Sequence, residues 1–332
     1  LIEEVVRFHG FHLIPEITAD VKMPLVEYNE SEVDIEKISN ALVSLDYQEI
    51  ITYSFINPEL NILITGKKSK LQLKNPISPE MSVMRGSLLP GLILTAQRNI
   101  LRQQQRVRIF EVGRSFRGTL SKHLEILNIT GLALGSVAGE NWSDKKRSLD
   151  YYDIKGDIES LLNSTGKGIS YSFVKSQHPS LQTGQAADIF REGKRIGMIG
   201  KLHPSIAKKF DLKVDVFVFE LNAEESFYSP ISKVQSISKF PYIRRDLSLV
   251  VDENITASEL VNLIKEVEPK LVKETIIFDI YRGKSVEEGR KSIALGLILQ
   301  ENSRTLTDLD ADNVVKNVLV EMKNKFSATL RE

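Results

Sequence analysis

The apolar positions of this chain switch between helical and strand-like spacing. Over 3–12, Val5, Val6, Phe8 and Phe11 recur at helical intervals, and Gly10 and Pro15 close the element. Over 34–45, Ile35, Ile38, Leu42 and Leu45 fall on one helical face. The stretch 48–56, rich in Ile, Tyr and Thr, reads as a strand. Two prolines in "NPISPE" mark an irregular loop, "MSVMR" is short and extended, and 88–103 predicts a helix with Pro90 in its first turn, where a missing N–H costs little. Strands follow at 106–116 and, as a pair, at 123–137. A helix over 152–166 ends at Gly166, a strand spans 169–174, a hairpin over 184–204 turns at "REGKR", and a further strand spans 216–222. Strands outnumber helices here and hairpin signals replace any βαβ repeat, so this half predicts an α+β module built on a large antiparallel sheet.

A polar stretch, 231–245, predicts a domain boundary near 233–240. Beyond it come a strand ("RRDLSLVVDE"), a helix capped by Thr256 or Ser258, two strands joined by "KSVEEGR", a long helix capped by Thr307 or Asp308, and a short last strand. The order β-α-β-β-α-β is that of a ferredoxin-like domain.

Composition narrows the chemistry. The 332 residues suggest about two domains. Lys+Arg and Asp+Glu balance at 44 each, so a nucleic-acid partner would need a local basic patch. Without cysteine there is no disulfide, thiolate metal site or Cys nucleophile, which fits a reducing cytoplasm. No apolar run has the length of a membrane span. Glu3, Glu4, His9 and His12 lie close in sequence, yet Glu3 and Glu4 point about 100° apart on a helix, so solvated charges are the plain reading. The glycines of "GKRIGMIG" match no phosphate loop and sit inside a hairpin. Arg98, Arg102, Arg106, Arg108, Arg114 and Arg117 either gather an anion or pair with acids elsewhere in the chain. No nucleophile–base pair is legible.

The segments "MSVMRGSLLPGL", "VRIFEVGRSF", "IGMIGKLHP", "KFPYIRRDLSLVV", "FDIYRG" and "RTLTD" resemble, in order, the C-terminal part of the bacterial phenylalanyl-tRNA synthetase β subunit. The resemblance implies the last helix of a B5 domain at 1–17, an inactive class II synthetase-like module at 18–232, and a ferredoxin-fold anticodon-binding domain at 239–332. The chain starts without Met or a helix cap, which suggests a processed end or a missing upstream part. The segment "QHPSLQTGQAADI" departs from the family's "HPGR"-like pattern.

In a class II synthetase an Arg on one strand holds the ATP α-phosphate, and a later Gly-rich strand carries a second. Here Arg108 and Glu111 are spaced RxxE rather than RxE, and no such Gly-rich segment follows. The resemblance therefore implies a non-catalytic subunit, with ATP used only by a partner α subunit in a heterotetramer of two α and two β chains. It also implies Mg²⁺ ligation by Glu3 and Glu4, shared with that partner and incomplete here because the preceding Asp falls before Leu1. His9 and His12 stay outside that set. Met81, Met84 and Arg85 are expected at the subunit interface. Arg244, Arg245, Arg282, Lys284 and Arg304 are expected against phosphates of tRNA(Phe), with Tyr281 stacked on a base. The alternatives are a structural module without RNA affinity and a self-sufficient class II ligase. The expected location is the cytoplasm.

Overall fold

The computed structural model describes residues 1–18, 34–143, 146–164, 171–227, 237–283 and 286–331. Contacts divide the chain into two compact units, Leu1–Ser232 and Lys233–Glu332. The fold is α+β, with sheets that are antiparallel apart from one short parallel edge strand, and a ferredoxin-like second unit.

In the first unit the elements are α1 (Ile2–His9), α2 (Ile35–Ser44), β1 (Gln48–Glu49), β2 (Phe55–Ile56), α3 (Pro58–Thr65), β3 (Val83–Met84), α4 (Leu89–Leu101), β4 (Val107–Thr119), β5 (Lys122–Leu134), α5 (Tyr151–Asn163), β6 (Tyr171–Lys175), β7 (Leu181–Arg191), β8 (Lys194–Leu202), α6 (Pro204–Lys209), β9 (Val216–Asn222) and α7 (Ala223–Ser226). Seven strands form one sheet in the order β1-β4-β5-β9-β8-β7-β6. One face packs Tyr47, Phe110, Ile129 and Phe219 against α2 and α5. On the other, Ile109, Leu132 and Val218 pack beneath Leu92, Ile93 and Ala96 of α4.

Several sequence expectations change. The segment 123–137 is not a strand pair; β5 runs unbroken and pairs with β4 through thirteen residues, Val107↔Leu134 to Thr119↔Lys122. The stretch 48–56 is two short strands, because the chain leaves the sheet after Ile50 and Thr52 turns its N–H and hydroxyl to Glu111. Helix α3 went unread, although "NPEL" carries its signal: Asn57 accepts from the Glu59 and Leu60 N–H groups, and Pro58 sits in the first turn. Helix α1 ends at His9, followed by a 3₁₀ turn over Phe11–Leu13. Helix α5 ends at Asn163, and Gly166, its expected terminator, lies outside the described residues.

The second unit consists of β10 (Ile243–Asp252), α8 (Ala257–Val267), β11 (Val272–Tyr281), β12 (Arg290–Leu299), α9 (Asp308–Phe326) and β13 (Thr329–Leu330), with sheet order β11-β12-β10-β13. Thr256 and Thr307 cap the two helices, each in a reciprocal box with Glu259 or Asp310. Leu247, Leu249, Val251, Leu295 and Leu297 face Leu260, Ile264, Val314 and Val318 of those helices. Among the described residues no helix is long and apolar enough to cross a membrane.

Candidate functional site

The face of the first sheet beneath α4 changes character partway along. Because side chains alternate, strand register defines rows across it. One row reads Ile109–Leu132–Val218 and is buried under the helix. The next reads Glu111–Thr130–Glu220–Met198–Asp188, followed by Gly113–Asn128–Asn222. Beyond the reach of α4, Asn128, Asn222, Glu220, Met198 and Asp188 of this polar part floor a cleft of about 870 Å³. Lys67, Lys68 and Lys70 from the loop after α3, Arg117, Arg195 and His178 line its walls.

The floor is internally bonded. Glu220 accepts from the Ser87 hydroxyl (2.6 Å), the Leu88 N–H (3.2 Å) and the Thr130 hydroxyl (3.1 Å). Asn128 donates to Ser115. Glu111 accepts from Arg85 Nη1 at 2.8 Å, from the Thr52 hydroxyl at 2.7 Å and from the Thr52 N–H. Only a residue without Cβ fits at Gly113, where a methyl would lie 2.5 Å from the Arg85 guanidinium.

Arg108 is elsewhere. One residue removed from Ile109, it projects through the opposite face, donates to Asp157 at 2.8 Å and lies over the Tyr47 ring. Tyr47 also donates to Asp157. Burial raises the Asp157 carboxyl above its ordinary value, and Arg108 pulls it partly back. RxE spacing would place both side chains on one face, whereas RxxE separates them. Arg106 and Arg114 pair with Asp46 and Glu125, so for these three arginines the intramolecular reading of the cluster holds.

Of the residues expected at an interface, Met81 and Met84 are half-buried, Met84 within the β2–β3 ribbon, and Ile51, Tyr53 and Ile77 in the segments leading to its two strands are exposed. Arg85 is interior, with only 4% of its surface exposed, so no partner can touch it directly in this structure. It ties the ribbon down: its N–H donates to Ser54, its Nε to the Arg114 carbonyl, and its carbonyl accepts from Phe116. Glu3 and Glu4 stand on the exposed first turn of α1, where Glu4 accepts from Arg7. Among the described residues no group of three His, Asp or Glu converges on one point.

The second unit does not gather its expected contacts into one patch. Arg244 lies on the sheet face away from the helices, bonded to Asp246 and over the Phe278 ring. The absent side chain of Gly296 lets this pair lie flat on the sheet, since a Cβ there would meet Asp246 and Arg244 at 3.1–3.2 Å. Tyr281, paired with Ser292, stacks against Arg331 at 4.3 Å; sequence reading missed Arg331 and Phe278. Arg245 instead faces α9 and holds Asp308 and Asp312. Arg304 grips Asp310 and Glu301, and its guanidinium holds the Asp310 carboxyl well below the usual range. Arg282 pairs with Glu253. Lys284 lies outside the described residues.

Comparison with known proteins follows the same division. Residues 14–223 match the family described as "Phenylalanyl tRNA synthetase beta chain CLM domain", and residues 238–331 match "Ferredoxin-fold anticodon binding domain". The whole chain is similar to phenylalanine–tRNA ligase β subunits of Pasteurella multocida (39% identical), Haemophilus influenzae (40%) and Pseudomonas fluorescens (38%). It spans 42% of the length of each of these relatives.

Proposed function

The chain belongs to the phenylalanyl-tRNA synthetase β-chain family, and on that premise we propose that it is a non-catalytic scaffold supporting phenylalanyl-tRNA formation by an α subunit. The position of Arg108 carries this reading. Along β4 Glu111 is flanked on its own face by Ile109 and Gly113, and Arg108, the strand arginine that the resemblance matches to the ATP-holding one, points through the other side of the sheet to Asp157. The exposed apolar side chains Ile51, Tyr53 and Ile77, in the segments leading to the β2–β3 ribbon, suit packing against a partner. The α subunit, two copies of which would form a heterotetramer with two β chains, supplies the ATP site. Glu3 and Glu4 offer carboxylate oxygens suited to Mg²⁺, with the remainder of roughly six ligands from outside this chain and the Arg7 contact to be broken first.

The decisive experiment is co-purification with a phenylalanyl-tRNA synthetase α subunit, followed by aminoacylation with each chain alone and together. Stable association is expected, with charging only in the mixture. ATP–pyrophosphate exchange by this chain alone would overturn the reading.

The second unit is the tRNA-binding part in this proposal. The Arg244–Phe278 and Tyr281–Arg331 pairs flank a floor of Ser248, Ser292, Ala294 and Gly296, leaving the open sheet face shallow enough for splayed bases to stack. Tyr281→Ala is expected to weaken tRNA(Phe) binding about tenfold, within the ~1–3 kcal/mol of one base–aromatic stack. Arg245→Gln should act instead on the thermal stability of the unit, because its partners are on α9. A filter-binding titration across salt concentrations separates this from a module without RNA affinity, which would show no salt-dependent binding.

A further inference from the structure

We propose that the cleft over the polar half of the first sheet binds a small phosphorylated anion of mononucleotide size, gripped by Lys67, Lys68, Lys70 and Arg117. This goes beyond the scaffold role and fails separately from it.

The charge distribution is the first argument. Five cationic side chains line the cleft against two carboxylates. Asp188 is held by Arg195 at 2.7 Å, and Glu220 is occupied by its three donors on the floor. Among the described residues, Lys67, Lys68, Lys70 and Arg117 have no carboxylate within salt-bridge distance in this chain, although all border one concavity. Exposed cations converging on a concave surface raise the local concentration of anions. Three ammonium groups from one short loop suit a multiply charged group better than a single carboxylate, which one Arg fork would satisfy.

The floor is the second. Asn128, Asn222 and Glu220 bring amide and carboxylate groups to the cleft where the same face under α4 is wholly apolar. An uncovered sheet face with convergent polar groups and a volume in the range of small-molecule sites fits a sugar-sized polar body behind a charged head.

His178 is the third. Its Nδ1 accepts from the Ser180 N–H (3.3 Å) and lies 2.8 Å from the Ser180 hydroxyl, which fixes the tautomer that carries its proton on Nε2. Burial pushes this imidazole down to about 4, so at neutral pH it offers the cleft an uncharged donor. None of these features requires acyl or phosphoryl transfer, and with Arg108 turned away the occupant is a bound ligand rather than a reactant.

Isothermal titration of the intact chain with inorganic pyrophosphate, AMP and ADP at low salt tests this, together with the imidazole resonances of the five histidines. Saturable binding that selectively shifts His178 is expected, weakened at least about tenfold by Lys70→Glu or Arg117→Glu, where each reversal replaces attraction with repulsion. Lys209→Glu, an exposed lysine outside the cleft, should leave it unchanged. Equal affinity for pyrophosphate and ADP would identify phosphate as the recognised group, and tighter ADP binding would add recognition of the nucleoside. Absence of saturable binding at millimolar ligand would overturn the proposal. So would binding indifferent to the cleft reversals, or a His178 shift produced by tRNA and not by the small anions.

Discussion

Arg85→Met is expected to lower the stability of the first unit by about 3–5 kcal/mol, the usual cost of stripping one partner from a buried ion pair. Arg85 and Glu111 have side chains only 5% and 2% exposed, so water cannot replace the lost guanidinium. The Thr52 N–H and hydroxyl would remain on Glu111, enough to order the carboxylate but not to neutralise it. The β2–β3 ribbon would loosen with it, because the Arg85 side chain also bonds the Arg114 carbonyl of β4. Arg85→Met combined with Glu111→Leu should regain most of the loss, since paired removal leaves no orphan charge. Native-state hydrogen exchange of β4 and β5 amides is the suitable readout. The only tryptophan, Trp142, is almost fully exposed and would report little of this unfolding. A change below about 1 kcal/mol would show that the pair is dispensable.

Arg108→Met should be nearly as costly at pH 7.5 and, unlike the first change, strongly dependent on pH. Its partner Asp157 is 14% exposed and already titrates above the ordinary carboxylate value through burial, with Arg108 opposing that rise. Removing Arg108 raises it further. A carboxyl whose folded value exceeds its unfolded value near 3.9 withholds stability at neutral pH; stability returns as pH falls through the folded value, because the protonated form is then favoured in the fold. The deficit of Arg108→Met relative to the parent should therefore shrink between pH 7.5 and 5. Asp157→Asn in the same background should abolish that pH dependence, while Tyr47 keeps a hydrogen-bond partner. A deficit that stays constant with pH would mean that Asp157 is not the group left exposed to the cost.

These pairs mark how far the residues alone could be read. The RxxE spacing was visible as a departure, and strand alternation turns it into geometry: Arg108 and Glu111 must leave by opposite faces. The partner of Glu111 was not legible, because Arg85 reaches it from an irregular loop that no periodicity describes. The ferredoxin-like order was readable because Thr256 and Thr307 announce their helices and β10 and β12 alternate around a leucine-rich face. The grouping of its arginines was not. Arg244 and Arg245 are neighbours in sequence and therefore opposites in the sheet, one on the open face and one against α9. The cleft was hidden for a related reason: its floor exists only once its strands are in register, and no strand by itself distinguishes a polar row from ordinary solvent exposure.

The row boundary beneath α4 also bears on what mutation can undo. Arg85 already neutralises Glu111 from outside the strand, and to add a second cation beside it on the same face of β4, position 109 or 113 would have to change. An arginine at 109 would have to enter a site now 3% exposed beneath the helix, among Leu132 and Val218. An arginine at 113 would run into the guanidinium of Arg85. Either route passes through an intermediate that is less stable before it is any more capable. The packing thus works as a filter on substitution, in which neither position flanking Glu111 on β4 can take up a cation without accompanying changes around it.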